Sequence, residues 1–345
     1  MSHVATITID HTKVPGDLTD YVGLIVPDGS AGYAALYALC LEGGGDIRLF
    51  KSDDTTEIAR EIVTFSVTSE TGEIHYKYSG TLSSSVDTDI HVYADGSSAD
   101  YAVTATYGAE AVWGNYIGVY HQNQASSSTS IDSAGANDMA KTGSPTQVTG
   151  QIGNGQDYDG TGDYHEKTAA TGATEIEPFF IQAWYNTDSV AAGAKGIALM
   201  GHDDSGEAGI IIVNDALWAF SQDSTFSTAA TSGLSASTWY MAHGVFAASN
   251  NRKIYVDGVL GATDTTSVAV STLTDGLRIG ARFLTGSQDF NGKIDEVRFG
   301  AGDLSPNWIT TEYNNQNSYS TFYSVAAVAG ISAAQVARRG AVMMM

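Results

Sequence analysis

The run Phe290-Asn291-Gly292-Lys293-Ile294-Asp295-Glu296-Val297-Arg298-Phe299 constrains the chain most. Ile294, Val297 and Phe299 favour extended backbone, and a glycine turn precedes them, so the run reads as a strand. Two acids, Asp295 and Glu296, stand side by side in it. In a regular strand neighbouring side chains point to opposite faces, which places one carboxylate inward and the other toward solvent. An inward carboxylate needs backbone N–H groups, a cation or a metal beside it. Upstream, Lys253 to Val259 reads as a strand ending in an Asp257-Gly258 hairpin turn. Leu277 to Gly280 lies between the two strands. Downstream, Ser305 and Pro306 open a short helix that runs to Tyr313.

The rest of the chain repeats this alternation. In residues 1–115, strands are expected at Thr6–Ile9, Tyr21–Val26, Asp46–Phe50, Ile58–Val67, Ile74–Tyr78 and Asp89–Tyr93. Their spacing of about eight to twelve residues indicates a β-sandwich. Ala31–Leu41 reads as helix or strand. Residues 116–322 form a second unit. It opens with a strand, Tyr116–His121, followed by a Ser-, Thr-, Gly- and Asn-rich stretch, Gln124–Thr149, that reads as loop. Further strands follow at Pro178–Tyr185, Gly196–Gly201, Gly209–Asn214, Ala216–Ser221 and Ser237–Phe246. Residues 323–345 are rich in Ala and Val and carry Arg338-Arg339; they read as a loose end or as an apolar docking tail.

Two domains suit 345 residues at roughly 100–200 residues each. Lys and Arg number 16 against 39 Asp and Glu, a net charge of −23, which repels phosphate backbones and anionic lipid and sets nucleic-acid binding aside. Cys40 is the single cysteine, so a disulfide within the chain and a Cys₂His₂ zinc site are both excluded. It sits in an apolar run and is expected to be buried. No apolar run reaches the roughly 18 residues of a membrane span. The strand-like start, Val4 to Ile9, lacks the form of a secretion signal, and synthesis in the cytoplasm is expected.

Four motifs in sequence, Lys253–Val259, Leu277–Gly280, Phe290–Phe299 and Leu304–Tyr313, resemble the laminin-G-like, concanavalin-A-like jelly rolls. Gln151–Tyr164, with Tyr158 before Asp159-Gly160, and Ser237–Phe246, with Trp239 and His243, extend the resemblance. It covers Tyr116 to Phe322. Gly45–Phe50 with Ser52-Asp53-Asp54, Thr88–Gly96 and the join Ala111–His121 resemble a small β domain that often precedes laminin-G-like domains in bacterial and phage proteins. The resemblance implies an all-β protein of two antiparallel β-sandwich domains in series, the second a concanavalin-A-like jelly roll. It also implies one structural Ca²⁺ held by Asp295 with groups from the loop of Asp157, Asp159 and Asp163. Read from the residues alone, Asp295 as an acceptor of backbone N–H groups and the three loop acids as turn formers stay open.

Signs of catalysis are sparse. Glycoside hydrolases of this fold carry acids two apart on one strand face. Outside loops only Glu175 and Glu177, beside Pro178, have that spacing, and the chain is expected not to be an enzyme. His202-Asp203-Asp204 reads as a hairpin turn, and His121 and His243 as satisfied strand histidines. No serine elbow and no histidine pair at helical spacing occurs. Sugar binding needs exposed aromatics flanked by amides and acids; Trp218 and Phe226 are the candidates, with Trp184 and Trp239 expected in the core. The resemblance and the tail together imply a non-enzymatic surface protein of a tailed bacteriophage virion (a decoration, fibre or appendage) with lectin-like binding of cell-surface glycan. The alternative is a carbohydrate-binding adhesin module on a bacterial cell surface. Expected partners are other virion proteins or further copies of the chain, through residues 323–345, and a surface polysaccharide, with no membrane insertion.

Overall fold

The computed structural model describes residues 1–126, 128–172, 177–191, 193–201, 206–223, 225–270, 273, 276–283 and 288–328. The chain divides into two compact units, residues 1–114 with 314–345, and residues 115–313. Among the described residues no helix is long and apolar enough to cross a membrane.

The first unit contains β1 (Ser2–Ile9), β2 (Leu18–Ile25), β3 (Arg48–Lys51), β4 (Glu57–Ser66), β5 (Thr71–Leu82) and β6 (Thr88–Ala94). Ala5, Ile7 and Ile9 on β1 and Ile90, Val92 and Ala94 on β6 are buried at every second position, as a half-buried strand requires. The open segment is a helix, α1 (Ala34–Leu39), entered through a short 3-10 turn and burying Leu36 and Tyr37. Cys40 is buried behind it. The C-terminal segment departs from expectation. Tyr323–Ala327 is not tail but a strand, paired antiparallel with β1 from Ile9↔Tyr323 to Ala5↔Ala327. The sheet order is therefore β2-β5-β4-β3-β6-β1 followed by this last strand. Ser324 is exposed and Tyr323 buried, so the strand presents a mixed surface rather than an apolar one. Asn315 belongs to the same unit. Its side chain accepts from Leu24 N–H at 2.7 Å and donates to the Leu24 carbonyl at 2.9 Å, satisfying both backbone groups on the edge of β2. The rest of the expected docking tail, residues 329–345, lies outside the described residues.

The second unit holds two antiparallel sheets. Helix α2 (Ala109–Val112) closes the first run of the first unit; the second unit's elements in chain order are β7 (Tyr116–Tyr120), β8 (Ala140–Thr142), β9 (Thr146–Thr149), β10 (Asn154–Asp159), β11 (Tyr164–Thr168), β12 (Phe179–Thr187) and β13 (Ala194–Gly201). There follow β14 (Glu207–Val213), β15 (Ala216–Gln222), β16 (Phe226–Ser232), β17 (Trp239–Ala248), β18 (Asn251–Val256), β19 (Val259–Asp264), β20 (Gly276–Ile279), β21 (Asn291–Ala301) and, as far as Tyr313, helix α3 (Pro306–Asn317). One sheet runs β19-β18-β17-β12-β21-β10-β9, with β7 also paired to β21; the other runs β16-β15-β14-β13-β20-β11-β8. Their inner faces form one core, in which Ile181, Ala183 and Tyr185 of β12 meet Ile210, Ile212, Leu217 and Ala219 of the other sheet.

Strand β12 is buried along its whole length because its outer face is covered too. Phe180 packs with Val245, Tyr255 and Ile309 of α3, and Trp184 stacks on Tyr313 at 6.0 Å. The helix begins as its sequence requires, with the Ser305 hydroxyl accepting from Trp308 N–H at 3.1 Å and Pro306 as its first residue. Asp257 and Gly258 both have positive φ, 51° and 78°, the form of a tight two-residue hairpin. The stretch Gln124–Thr149 is not all loop, since it contains β8 and β9. Both are short, polar and at sheet edges, where no alternation of apolar residues marks a strand.

The tandem acids also differ from the sequence pattern. Glu296 has φ 47°, and the pairing of β12 with β21 slips by one residue, Gln182↔Arg298 being followed by Trp184↔Asp295. This β-bulge breaks the two-residue period. Ile294 and Val297 both face the core, and Asp295 and Glu296 between them are both buried on the other side of the sheet.

Candidate functional site

Beneath α3 the bulge gathers a chain of charges. Glu296 bonds His121 Nδ1 at 2.5 Å and accepts from Arg298 at 2.6 Å; Arg298 also binds Glu312, which in turn bonds His243 Nε2 at 2.9 Å. All five side chains are buried. Burial opposes ionisation of Glu312, yet Arg298 and His243 hold its carboxyl below the usual range. The two histidines thus serve as partners of buried carboxylates.

Asp295 stands apart from that chain. Its Oδ2 accepts from Ile152 N–H at 2.8 Å, and a side chain at Gly150 would collide with the same oxygen, so this turn closes over the carboxyl only with glycine there. Burial, reinforced by the charge of Glu296, pushes Asp295 well above the usual carboxylate range. Asp157 lies on β10 opposite Lys293. Asp159 accepts from Thr161 N–H at 2.7 Å, and Asp163 accepts from Ser144 N–H at 2.5 Å. None of Asp157, Asp159, Asp163 and Asp295 belongs to a set of three or more ligand atoms within 4.8 Å of one another among the described residues. Asp159 and Asp163 also accept backbone N–H groups, while Asp295 Oδ1 has no hydrogen-bond partner. The expected Ca²⁺ is tested by the Tm of the protein in millimolar Ca²⁺: a rise that disappears in Asp295→Asn would support the site, and no shift in the unaltered protein would sink it.

A different arrangement occupies the outer face of the second sheet. Strand alternation places Trp218, Phe220 and Gln222 of β15 on that face, opposite their core-facing neighbours Leu217 and Ala219. The pairing Gln222↔Phe226 brings Phe226 of β16 beside them. The rings of Trp218 and Phe226 lie 6.0 Å apart, and those of Phe220 and Phe226 5.5 Å apart and stacked. Phe220 is buried and Trp218 partly exposed, while Phe226 keeps 44 % of its surface in solvent. The two residues singled out in the sequence therefore meet on one platform.

Polar groups border this platform that the sequence did not reveal. The Arg282 guanidinium lies 4.8 Å from the Phe220 ring centre and donates to Glu207, to Gln222 Oε1 at 2.9 Å and to Gln288 Oε1 at 3.1 Å. Glu207 is fully buried, and burial raises its carboxyl despite the arginine. Further along, Arg278 pairs with Glu166 and lies between the rings of Tyr164 at 4.5 Å and Phe283 at 4.2 Å. Chemically the face is a row of aromatic surfaces interleaved with amides and oriented guanidiniums. Both of its carboxylates are held by arginines. Glu175 and His202-Asp203-Asp204 lie outside the described residues. Trp184 and Trp239, expected in the core, are respectively buried and partly exposed.

Among solved structures, domain 4 of AbnA, a GH43 extracellular arabinanase from Geobacillus stearothermophilus, in complex with arabinotriose, matches at 18% identity and a TM-score of 0.48, covering 57% of this chain and 97% of that domain. The botulinum neurotoxin serotype D binding domain matches at 15% identity and a TM-score of 0.48, covering 59% of this chain and 52% of that one. The binding domain of botulinum neurotoxin DC in complex with rat synaptotagmin II gives 15% identity, a TM-score of 0.49 and the same coverage, 59% and 52%. The match thus spans about half the length of the neurotoxin domains. No curated protein matches the chain in sequence. Residues 159–310, within the second unit, match the family described as the concanavalin A-like lectin/glucanases superfamily.

Proposed function

We propose that the second unit is a non-catalytic carbohydrate-binding module that takes a neutral cell-surface polysaccharide on the Trp218–Phe226 platform. The observation that carries this reading is the meeting of the two rings at 6.0 Å beside the Arg282, Gln222 and Gln288 group. A sugar ring offers an apolar C–H face that stacks on an aromatic ring, and a rim of hydroxyls that pairs with planar amides and guanidiniums. Glu207 and Glu166 orient arginines and are not poised as an acid and base pair. The net charge of −23 disfavours polyanionic glycans and favours neutral chains. The resemblance of the first unit to β domains of phage and bacterial proteins supports a place on the surface of a tailed-phage virion, as a decoration, fibre or appendage.

The test is retention of the full-length chain on immobilised neutral polysaccharides from bacterial envelopes. Wild type is expected to be retarded. Phe226→Ala, at an exposed position, is expected to weaken retention with an unchanged Tm. Equal retention of wild type and variant would remove the platform from the account.

A further inference from the structure

We propose that His3, His91 and Asp54 of the first unit form a binding site for Zn²⁺ or a similar divalent transition metal. The three side chains come from two neighbouring strands and the turn after β3. One ligand atom from each lies within 4.8 Å of the others. His91 Nδ1 and Asp54 Oδ1 are 2.5 Å apart, and the rings of His3 and His91 lie 4.3 Å apart in near-parallel planes.

A local irregularity of β1 creates this meeting. His3 is opposite Tyr93 and Thr6 opposite His91, with a break in register between His3 and Ala5. In an unbroken strand residues three apart point to opposite faces. The bulge turns His3 onto the face of Thr6 and His91, where Thr6 Oγ1 lies 3.2 Å from His3 Nε2. His3 Nε2–H is donated to the Ala5 carbonyl at 3.0 Å, which leaves the lone pair on Nδ1. The Tyr93 hydroxyl donates to Asp54 at 2.8 Å, and Asp54 itself sits at φ 58°, a backbone form that fixes where the turn presents its carboxylate. Both kinds of outer support, a backbone carbonyl on a histidine and a hydroxyl on a carboxylate, are those found around metal ligands.

Two imidazole nitrogens and one carboxylate oxygen suit Zn²⁺, and neither Ca²⁺ nor Mg²⁺, which prefer oxygen alone. In the metal-bound form His91 Nδ1 and Asp54 Oδ1 both turn lone pairs to the ion, and the single proton of the neutral His91 ring sits on Nε2. Three protein ligands leave a fourth position for water.

The experiment is calorimetric titration of the full chain with ZnCl₂, with CaCl₂ in parallel. Wild type is expected to take up Zn²⁺ and to show no saturable heat with Ca²⁺. His3→Ala and His91→Ala are expected to weaken uptake by more than Tyr93→Phe does, and Tyr93→Phe, which removes only a support, to weaken it by about tenfold. His11→Ala serves as the control, because Asp10, His11 and Asp87 form a separate cluster of the same kind. Histidine-ring NMR of the unaltered protein gives a second readout, with the His3 and His91 signals expected to shift on adding Zn²⁺. Absence of Zn²⁺ uptake, uptake unchanged in both His3→Ala and His91→Ala, or loss of uptake in His11→Ala alone would overturn the site.

Discussion

Arg298→Ala is expected to lower the free energy of unfolding by about 3–5 kcal/mol, as removal of one partner from a buried ion pair does. Arg298 donates to Glu296 and Glu312 and is itself buried. Burial works against its charge, but the two carboxylates outweigh that and raise its pKa. Without the guanidinium, Glu296 on β21 and Glu312 on α3 stay buried without their shared cation, and Asp295 adds a third acid next in sequence. A sharper form of the test compares the single change with Arg298→Met combined with Glu296→Gln and Glu312→Gln. Removing all charges together is expected to cost less than removing the cation alone, because no unpaired ion is left behind. The network also carries a pH dependence. Glu312 titrates below its unfolded value in the folded chain, so its contribution is present above that unfolded value and is lost as pH falls through the folded one. Urea unfolding at pH 7 measures the first effect; a loss of less than about 1 kcal/mol would contradict the account.

His165 supplies the second large effect. It is buried on β11, and burial lowers its pKa to about 4 from the model-peptide value of 6.5. Burial outweighs the Ser128 carbonyl, which favours the protonated ring. Nδ1–H donates to the Tyr158 hydroxyl at 2.9 Å, which donates onward to Gln122 Oε1 at 2.9 Å, while Nε2 faces the amide nitrogen of Gln124 at 3.3 Å. Between pH 6.5 and about 4 the unfolded chain binds a proton at His165 and the folded chain does not. Stability from His165 is therefore complete above pH 6.5 and falls away through that window, by on the order of 3 kcal/mol in all. His165→Gln is expected to start less stable at pH 7 and to lose less on acidification. Parallel curves for the two proteins across the window would show that His165 does not titrate as described.

The strands with an apolar period, and the family to which they point, were legible because each buries one face or both. Of the strands that went unread, β8, β9, β16, β19 and the last strand, Tyr323–Ala327, lie at sheet edges, while β11 lies inside its sheet but is the polar run Tyr164-His165-Glu166-Lys167-Thr168, which carries no apolar period. The tandem acids misled for a related reason. A bulge costs one residue of register, and nothing in Ile294-Asp295-Glu296-Val297 announces whether the extra residue is there. Trp218 and Phe226 could be picked as aromatics near a turn. Their polar border could not, since Arg282 reaches Glu207 across 75 residues, a contact set by strand order rather than by local spacing. The His3, His91 and Asp54 meeting was hidden in the same way by an irregularity in β1. Asp157, Asp159 and Asp163 are close in sequence, and backbone donors occupy Asp159 and Asp163 as turn formers.

The central claim, sugar binding on the outer face of the second sheet, is tested most directly by titrating one envelope polysaccharide fragment into wild type and Trp218→Ala and comparing the isotherms. The account expects saturable binding by wild type. In the variant it expects a loss of about 2 kcal/mol or more, roughly thirtyfold in Kd, with near-native circular dichroism. Binding of equal strength in a folded Trp218→Ala protein, or no binding of any neutral envelope polysaccharide by wild type, would contradict it.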